Sequence, residues 1–144
     1  MTEPAITDAQ LATRLRLAVS RLHRRIRLAS NDIPPLQLSS LVSIEVHGPL
    51  RLGELAQREA VTAPTMTRVL AALDERGFIV RTPDPDDARS TRVTLSKDGS
   101  KALTEVRNRR TALLDARLAR LSAEQRAALA TALPALEALI SADT

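Results

Sequence analysis

Residues 52–96 read LGELAQREAVTAPTMTRVLAALDERGFIVRTPDPDDARSTRVTLS, and the punctuation of this stretch decides the fold. Residues 52–59 form a short segment with Leu55 and Ala56 inward, and Ala60-Val61 makes a tight turn. Thr62 is a good N-cap for a new helix, because its hydroxyl can accept an orphan backbone N–H; Pro64 falls in the first turn, where a missing N–H leaves no bond unmade. Met66, Val69, Leu70 and Leu73 share one face at three- and four-residue steps, which leaves Thr65, Thr67, Arg68 and Ala72 around the outside. Gly77 is a natural C′ stop. Beyond it the period changes from helical to alternating, so 78–81 and 91–95 read as two short strands, and 82–90, with its prolines and aspartates, is the turn between them. Two short helices followed by a hairpin form a unit whose second helix can lie in the DNA major groove, with the hairpin beside it as a wing.

Longer helices flank this unit. From Asp8, residues Leu11, Leu15, Ala18, Val19, Leu22 and Ile26 make one apolar stripe, with Arg14, Arg21, Arg24 and Arg25 on the other side. This helix should end near Asn31-Asp32, ahead of Pro34-Pro35. The stretch 36–47 fits a helix through Leu38, Leu41, Val42 and Ile44, although 44–46 alternates like a strand; it reads as helix, stopped by Gly48-Pro49. Ser96 caps a long helix to about Arg120, with Leu103, Val106, Leu113, Leu114 and Leu118 inward. Ser122 and Gln125 make a capping box for a last helix carrying Leu129, Leu133, Leu136 and Ile140, in which Pro134 should introduce a kink. The expected fold is therefore mainly α with a small β-hairpin wing, a winged helix-turn-helix with terminal dimerisation helices. Within one compact domain, 1–35 would dimerise, 36–99 would bind DNA, and 100–144 would complete the dimerisation helices.

Composition agrees with a helical chain of this size. Of the 144 residues, 44% are hydrophobic but only 1% aromatic, so the core must be built from Leu, Ala, Val and Ile. Nineteen Arg and two Lys against seventeen acidic groups give a formal charge of +4, which suits a polyanionic partner. With no cysteine, disulfides and thiolate metal sites are excluded. The N-terminal MTEPAITDAQ has neither a basic nor an apolar leader segment and no run is long enough to span a bilayer, so a cytoplasmic protein is expected. No nucleophile elbow, phosphate loop or convincing carboxylate pair suggests an enzyme. No cofactor is implied.

The wing sequence Asp87-Ala88-Arg89, then Val93-Thr94-Leu95-Ser96 and Gly99, together with Leu52-Gly53-Glu54-Leu55-Ala56 and 61–68, resembles the MarR family of bacterial regulators across nearly the whole chain. That resemblance implies a two-fold dimer, repression, and a small aromatic or phenolic effector held between the dimer helices and the DNA-binding lobe; it also implies that Asp87 orients an arginine. Chemistry points the same way for the reading surface. Thr65 and Thr67 offer hydroxyls, Ala63 and Pro64 offer apolar contact to thymine methyls, Thr62 caps, and Arg68 can reach guanine or phosphate. Arg89 at the wing tip suits a narrow A·T minor groove, and Arg81 and Arg92 would face phosphate or hold the hairpin. His23 and His47 lack partners at zinc-ligand spacing and are at most candidates to line an effector pocket. The terminal apolar stripes are too extensive for one small lobe and should meet those of a second chain, so that the dimer reads a pseudo-palindrome. Competing readings are an architectural protein that coats DNA without sequence preference, and a winged-helix protein-interaction module.

Overall fold

A computed structural model describes residues 4–30 and 33–141. The elements run α1 (Asp8–Ser30), α2 (Pro35–His47), β1 (Leu50–Arg51), α3 (Leu52–Arg58), α4 (Ala63–Glu75), β2 (Ile79–Pro83), β3 (Thr91–Leu95), α5 (Lys97–Leu118) and α6 (Ala123–Ser141). The chain divides into two compact units, one of Ser30–Arg109 and the other of Met1–Ala29 with Arg110–Thr144. The expected end of the first helix at Asn31-Asp32 lies outside the described residues.

The unit Ser30–Arg109 has a single apolar core. Leu41 and Ile44 of α2, Leu55 and Ala56 of α3, and Met66, Val69, Leu70 and Leu73 of α4 meet Leu50, Ile79 and Val93 of the sheet and Leu103 of α5. The three- and four-residue spacing of the α4 contributors is what one helix face pressed against a core requires. Burying each such side chain contributes roughly 1.5–3 kcal/mol. Glu59, just past α3, is fixed to α2 by two hydroxyls: Ser39 donates to its Oε2 at 2.6 Å and Ser43 to its Oε1 at 2.7 Å. Arg107 of α5 makes a two-pronged ion pair with Glu45 of α2, at 2.6 and 3.2 Å, and this bond holds the Glu45 carboxyl below its ordinary range. In the turn between α3 and α4, Ala60 sits at φ +54°, a left-handed conformation that costs a residue with a Cβ roughly 1–2 kcal/mol.

The sheet has three strands in the order β1-β3-β2, all antiparallel. Sequence periodicity finds only the hairpin, because a two-residue strand has no alternation to detect. Leu50 pairs with Val93 and Arg51 with Arg92, while β2 continues past the expected strand end, through Thr82 opposite Arg92 to Pro83 opposite Thr91. Gly77 takes φ +71°, as the C′ stop requires. Ser96 then joins three pieces: its N–H donates to the Phe78 carbonyl, its hydroxyl donates to the Gly77 carbonyl, and the same hydroxyl accepts the Gly99 N–H as the cap of α5.

In the other unit, α1 and α6 are regular helices. The capping box is present: Ser122 Oγ accepts the Gln125 N–H at 3.1 Å, and Gln125 Oε1 accepts the Ser122 N–H at 3.1 Å. Pro134 lies inside α6, which continues to Ser141. The apolar stripes lie on the surface of the single chain: Leu11 is 51% exposed, Val19 56%, Leu133 52% and Ile140 77%. Leu113, Leu114 and Leu118 are half-buried.

A Cβ on Gly99 would stand 2.0 Å from the Phe78 carbonyl oxygen and 2.9 Å from its carbon, both backbone atoms that the Ser96 bond holds in place. Gly99→Ala must therefore push α5 away from the wing base. We expect a loss of about 1–3 kcal/mol, read as a thermal midpoint lowered by several degrees; an unchanged midpoint would show that the close approach constrains nothing.

Candidate nucleic-acid interface

Packing of one α4 face into the core decides what the helix shows to solvent. Thr62, Ala63, Pro64, Thr67 and Arg68 are exposed, and Thr65 is half-buried. Thr62 is the N-cap, accepting the Thr65 N–H at 3.3 Å and donating to Thr65 Oγ1 at 3.0 Å. Thr67 donates its hydroxyl proton to the Ala63 carbonyl at 3.0 Å. Both protons are thus used within the helix, and what these hydroxyls have left for a ligand is acceptor capacity, which matches the amino groups of adenine or cytosine. Among the described residues the Arg68 guanidinium has no hydrogen bond or ion pair, so its donors are available.

Beyond β2, a chain of backbone bonds closes the wing loop. The Asp84 N–H donates to the Ser90 carbonyl and the Ser90 N–H to the Asp87 carbonyl, both at 3.0 Å. Asp84 Oδ1 accepts the Asp86 N–H at 2.9 Å, and Asp87 Oδ1 accepts the Arg89 N–H at 3.0 Å. Arg89 is exposed at the tip, its guanidinium unpaired among the described residues. Asp87 meets Arg89 through the backbone N–H, and among the described residues its carboxylate makes no ion pair with a guanidinium.

The carboxylate that holds arginines is Asp84. Its side chain is fully enclosed, with Arg51 Nε bonded to Oδ2 and Arg92 Nη2 at 3.3 Å from Oδ1. Arg92 also reaches Asp86 at 3.5 Å. The Arg51 hydrogen bond, helped by the Asp86 N–H, holds the Asp84 carboxyl at about 2 against an ordinary 3.8. Arg81 is engaged as well, its Nε at 2.9 Å and Nη2 at 2.7 Å from Asp74 Oδ2 near the end of α4. Arg81 and Arg92 thus both make ion pairs with carboxylates of the same lobe.

The predicted surface therefore separates into two groups. Arg68 and Arg89, with Thr62, Ala63, Pro64 and Thr67, present accessible contacts from α4 and the wing tip; Arg81, Arg92 and Asp87 shape the wing. Sequence reasoning missed Arg51 and Asp84, since nothing local distinguishes Asp84 from Asp86 and Asp87. His23 and His47 are both exposed, and they belong to different units. Among the described residues no group of three or more His, Cys, Asp or Glu is placed to hold a metal, and no helix is long and apolar enough to cross a membrane. The lobe Ser30–Arg109 carries eleven basic and eleven acidic residues, so it has no net charge.

Comparison with known proteins gives a consistent picture. A family model described as the MarR family matches residues 33–91. An HTH-type transcriptional regulator of Mycobacterium tuberculosis is 39% identical over 136 residues, covering 93% of this chain and 95% of the relative. The HTH-type transcriptional repressor MdtR of Bacillus subtilis is 28% identical over 122 residues, covering 81% of this chain and 79% of the relative. Among solved structures, a transcriptional regulator from Pseudomonas aeruginosa PA01 has a TM-score of 0.77 at 36% identity, over 95% of this chain and 98% of that one. A variant of MepR from Staphylococcus aureus, solved bound to an oligodeoxyribonucleotide, has a TM-score of 0.68 at 19% identity over 94% of this chain and 99% of that one, a likeness of fold alone.

A carboxyl with a depressed folded-state pKa adds stability that is full above its ordinary value of 3.8 and is lost as pH falls through about 2. Asp84→Asn removes that dependence. Urea midpoints measured from pH 5 to pH 2 should fall more steeply for the native chain than for Asp84→Asn, which should already be less stable at neutral pH. Parallel profiles would show that the Asp84 pairs do not hold the wing.

Proposed function

Because the chain belongs to the MarR family of DNA-binding transcriptional regulators, we propose that it acts as a sequence-specific repressor: a homodimer that reads a pseudo-palindromic operator with α4 and the wing, and leaves it when a small aromatic effector binds. It is a regulator and not an enzyme. The observation that carries the reading is the solvent-facing start of α4, Thr62 to Arg68, with the unpaired guanidiniums of Arg68 and, on the wing, Arg89. A helix start of this kind meets base edges in a groove about 12 Å wide, and the wing arginine meets the adjoining minor groove.

For the lobe itself, sequence-specific reading is favoured over passive coating by its neutrality. Non-specific binding comes almost wholly from phosphate neutralisation, and a lobe of eleven bases and eleven acids has no surplus to give it. Dimerisation is supported by the exposed stripes of α1 and α6, since apolar surface of that extent on a single chain marks an interaction face. In this reading 1–35 and 100–144 join the two copies, 36–99 reads DNA, and the half-sites lie about one helical turn apart. Repression is supported by the relative MdtR, whose name is that of a repressor. The effector rests on the family resemblance, with His23 and His47 as candidate lining residues. The site of action is where the DNA is, in the cytoplasm.

Selection of bound duplexes from a random pool should return an inverted repeat, and light scattering should give twice the chain mass. Against the selected operator, Arg68→Ala should cost about 1–3 kcal/mol, roughly 5- to 150-fold in affinity, if it touches a base, and Arg89→Ala should weaken binding and relax an A·T preference. Equal affinity for operator and random DNA, a monomer in solution, or undiminished binding by the double variant would overturn this assignment.

A further inference from the structure

The +4 formal charge that suits a polyanion is not located on the reading lobe. With Ser30–Arg109 neutral and 110–144 carrying four bases and four acids, the surplus lies in α1, which has six arginines and a single acid, Asp8. Elsewhere each base is matched by an acid; from residue 9 to residue 30 no acid occurs at all. Arg14, Arg16, Arg21, Arg24 and Arg25 are exposed and, among the described residues, have no ion pair or side-chain hydrogen bond. At 3.6 residues per turn Arg14, Arg21 and Arg25 fall within about 40° of one another, in a row about 16 Å long. That row lies about 100° round the helix from the apolar stripe of Leu11, Leu15, Val19 and Leu22.

We propose that this arginine row is a second, sequence-independent binding surface for the sugar-phosphate backbone of duplex DNA, separate from the surface of α4 and the wing. The chemistry is charge complementarity: unpaired guanidiniums in a line face a ligand that carries one negative charge about every 1.7 Å, and each bonds phosphate oxygens with a planar fork of donors. DNA is favoured because a protein held on an operator is surrounded by duplex phosphate at high effective concentration. A membrane surface fits poorly. An interfacial helix must bury its apolar face in the bilayer while its cations flank the headgroups, whereas in the proposed dimer the stripe of Leu11, Leu15 and Val19 is covered by the second chain. The inference rests on DNA as the family's ligand and not on which lobe residues read it.

The test uses the full chain, the selected operator duplex immobilised at its minimal length, and a labelled duplex of random sequence as the second ligand. The native protein loaded on the operator should capture the random duplex, and capture should weaken steeply with salt. Arg14→Ala/Arg21→Ala/Arg25→Ala should lower capture at least tenfold and reduce the slope of log affinity against log salt by about 0.9 for each phosphate lost. It should leave operator loading within about twofold, and the corresponding triple Lys variant should keep most of the capture. Capture by the Ala variant equal to that of the native chain would overturn the proposal. So would preferential retention on immobilised poly-glutamate or on anionic phospholipid vesicles, which would assign the row to an acidic protein or a membrane. Loss of operator loading together with a lowered thermal midpoint would assign the arginines to the fold and overturn it equally. Should the operator reading itself fail, direct titration of native and Ala proteins with the random duplex still decides this surface, because Arg68→Ala moves the first readout and not the second.

Discussion

A carboxylate with no solvent contact holds the wing to the rest of the reading lobe. Asp84 is enclosed at the point where β2 ends and the loop begins, and an enclosed charge needs partners. Its partners come from two places, Arg51 at the entry to α3 and Arg92 on β3. The register explains why both can reach: Arg51 and Arg92 are cross-strand neighbours, so their side chains emerge on the same face of the sheet. Arg81 with Asp74 ties β2 to the end of α4 by a second route. Helix-turn-helix and wing are therefore tied together by two sets of ion pairs, and contacts of this kind, formed before any ligand arrives, lower the ordering cost of binding.

Much of this lobe was legible in the sequence, for identifiable reasons. The start of α4 is written twice, in Thr62 as a cap and in Pro64 in the first turn, and its buried face in the spacing of Met66, Val69, Leu70 and Leu73; the four positions are the buried ones. Gly77 marks the stop because the conformation it takes is one few other residues adopt. What could not be read was pairing between distant positions. Leu50-Arg51 is too short to show a period, and it is a strand only because Val93 and Arg92 lie beside it. Asp84, Asp86 and Asp87 are equivalent on paper; the fold turns one inward, one into an Asx bond with the next turn, and leaves one over the surface. Ser39, Ser43 and Glu59 likewise meet only through the packing of α2 on α3.

Net charge misled in a more instructive way. Composition reports a basic protein, and a basic protein suits DNA, but the inference passes from the whole chain to the lobe without asking where the charges are. Four of the nine arginines of the lobe sit beside carboxylates, at Arg51, Arg81, Arg92 and Arg107. These are structural cations. Among the others, Arg68 and Arg89 are the two assigned to the duplex under the proposed reading, in which the lobe combines low general attraction for phosphate with a small number of directed contacts.

Under the proposed reading, that arrangement makes the wing selective by repulsion as well as attraction. Asp86, whose side chain is 77% exposed, and Asp87, also exposed, shortly precede Arg89 and oppose any approach of the loop to phosphate. A wing tip with one cation beside two acids has little to gain from an ordinary groove. It gains where the groove is narrow enough to focus negative potential on the inserted guanidinium while the neighbouring carboxylates stay outside, which is the geometry of A·T-rich steps. The Asp87 bond to the Arg89 N–H fixes which of the three side chains leads. Acidic residues that look misplaced on a DNA-binding loop thus follow from the same requirement that buries Asp84: a short polar loop must hold one arginine forward and keep the rest of itself back.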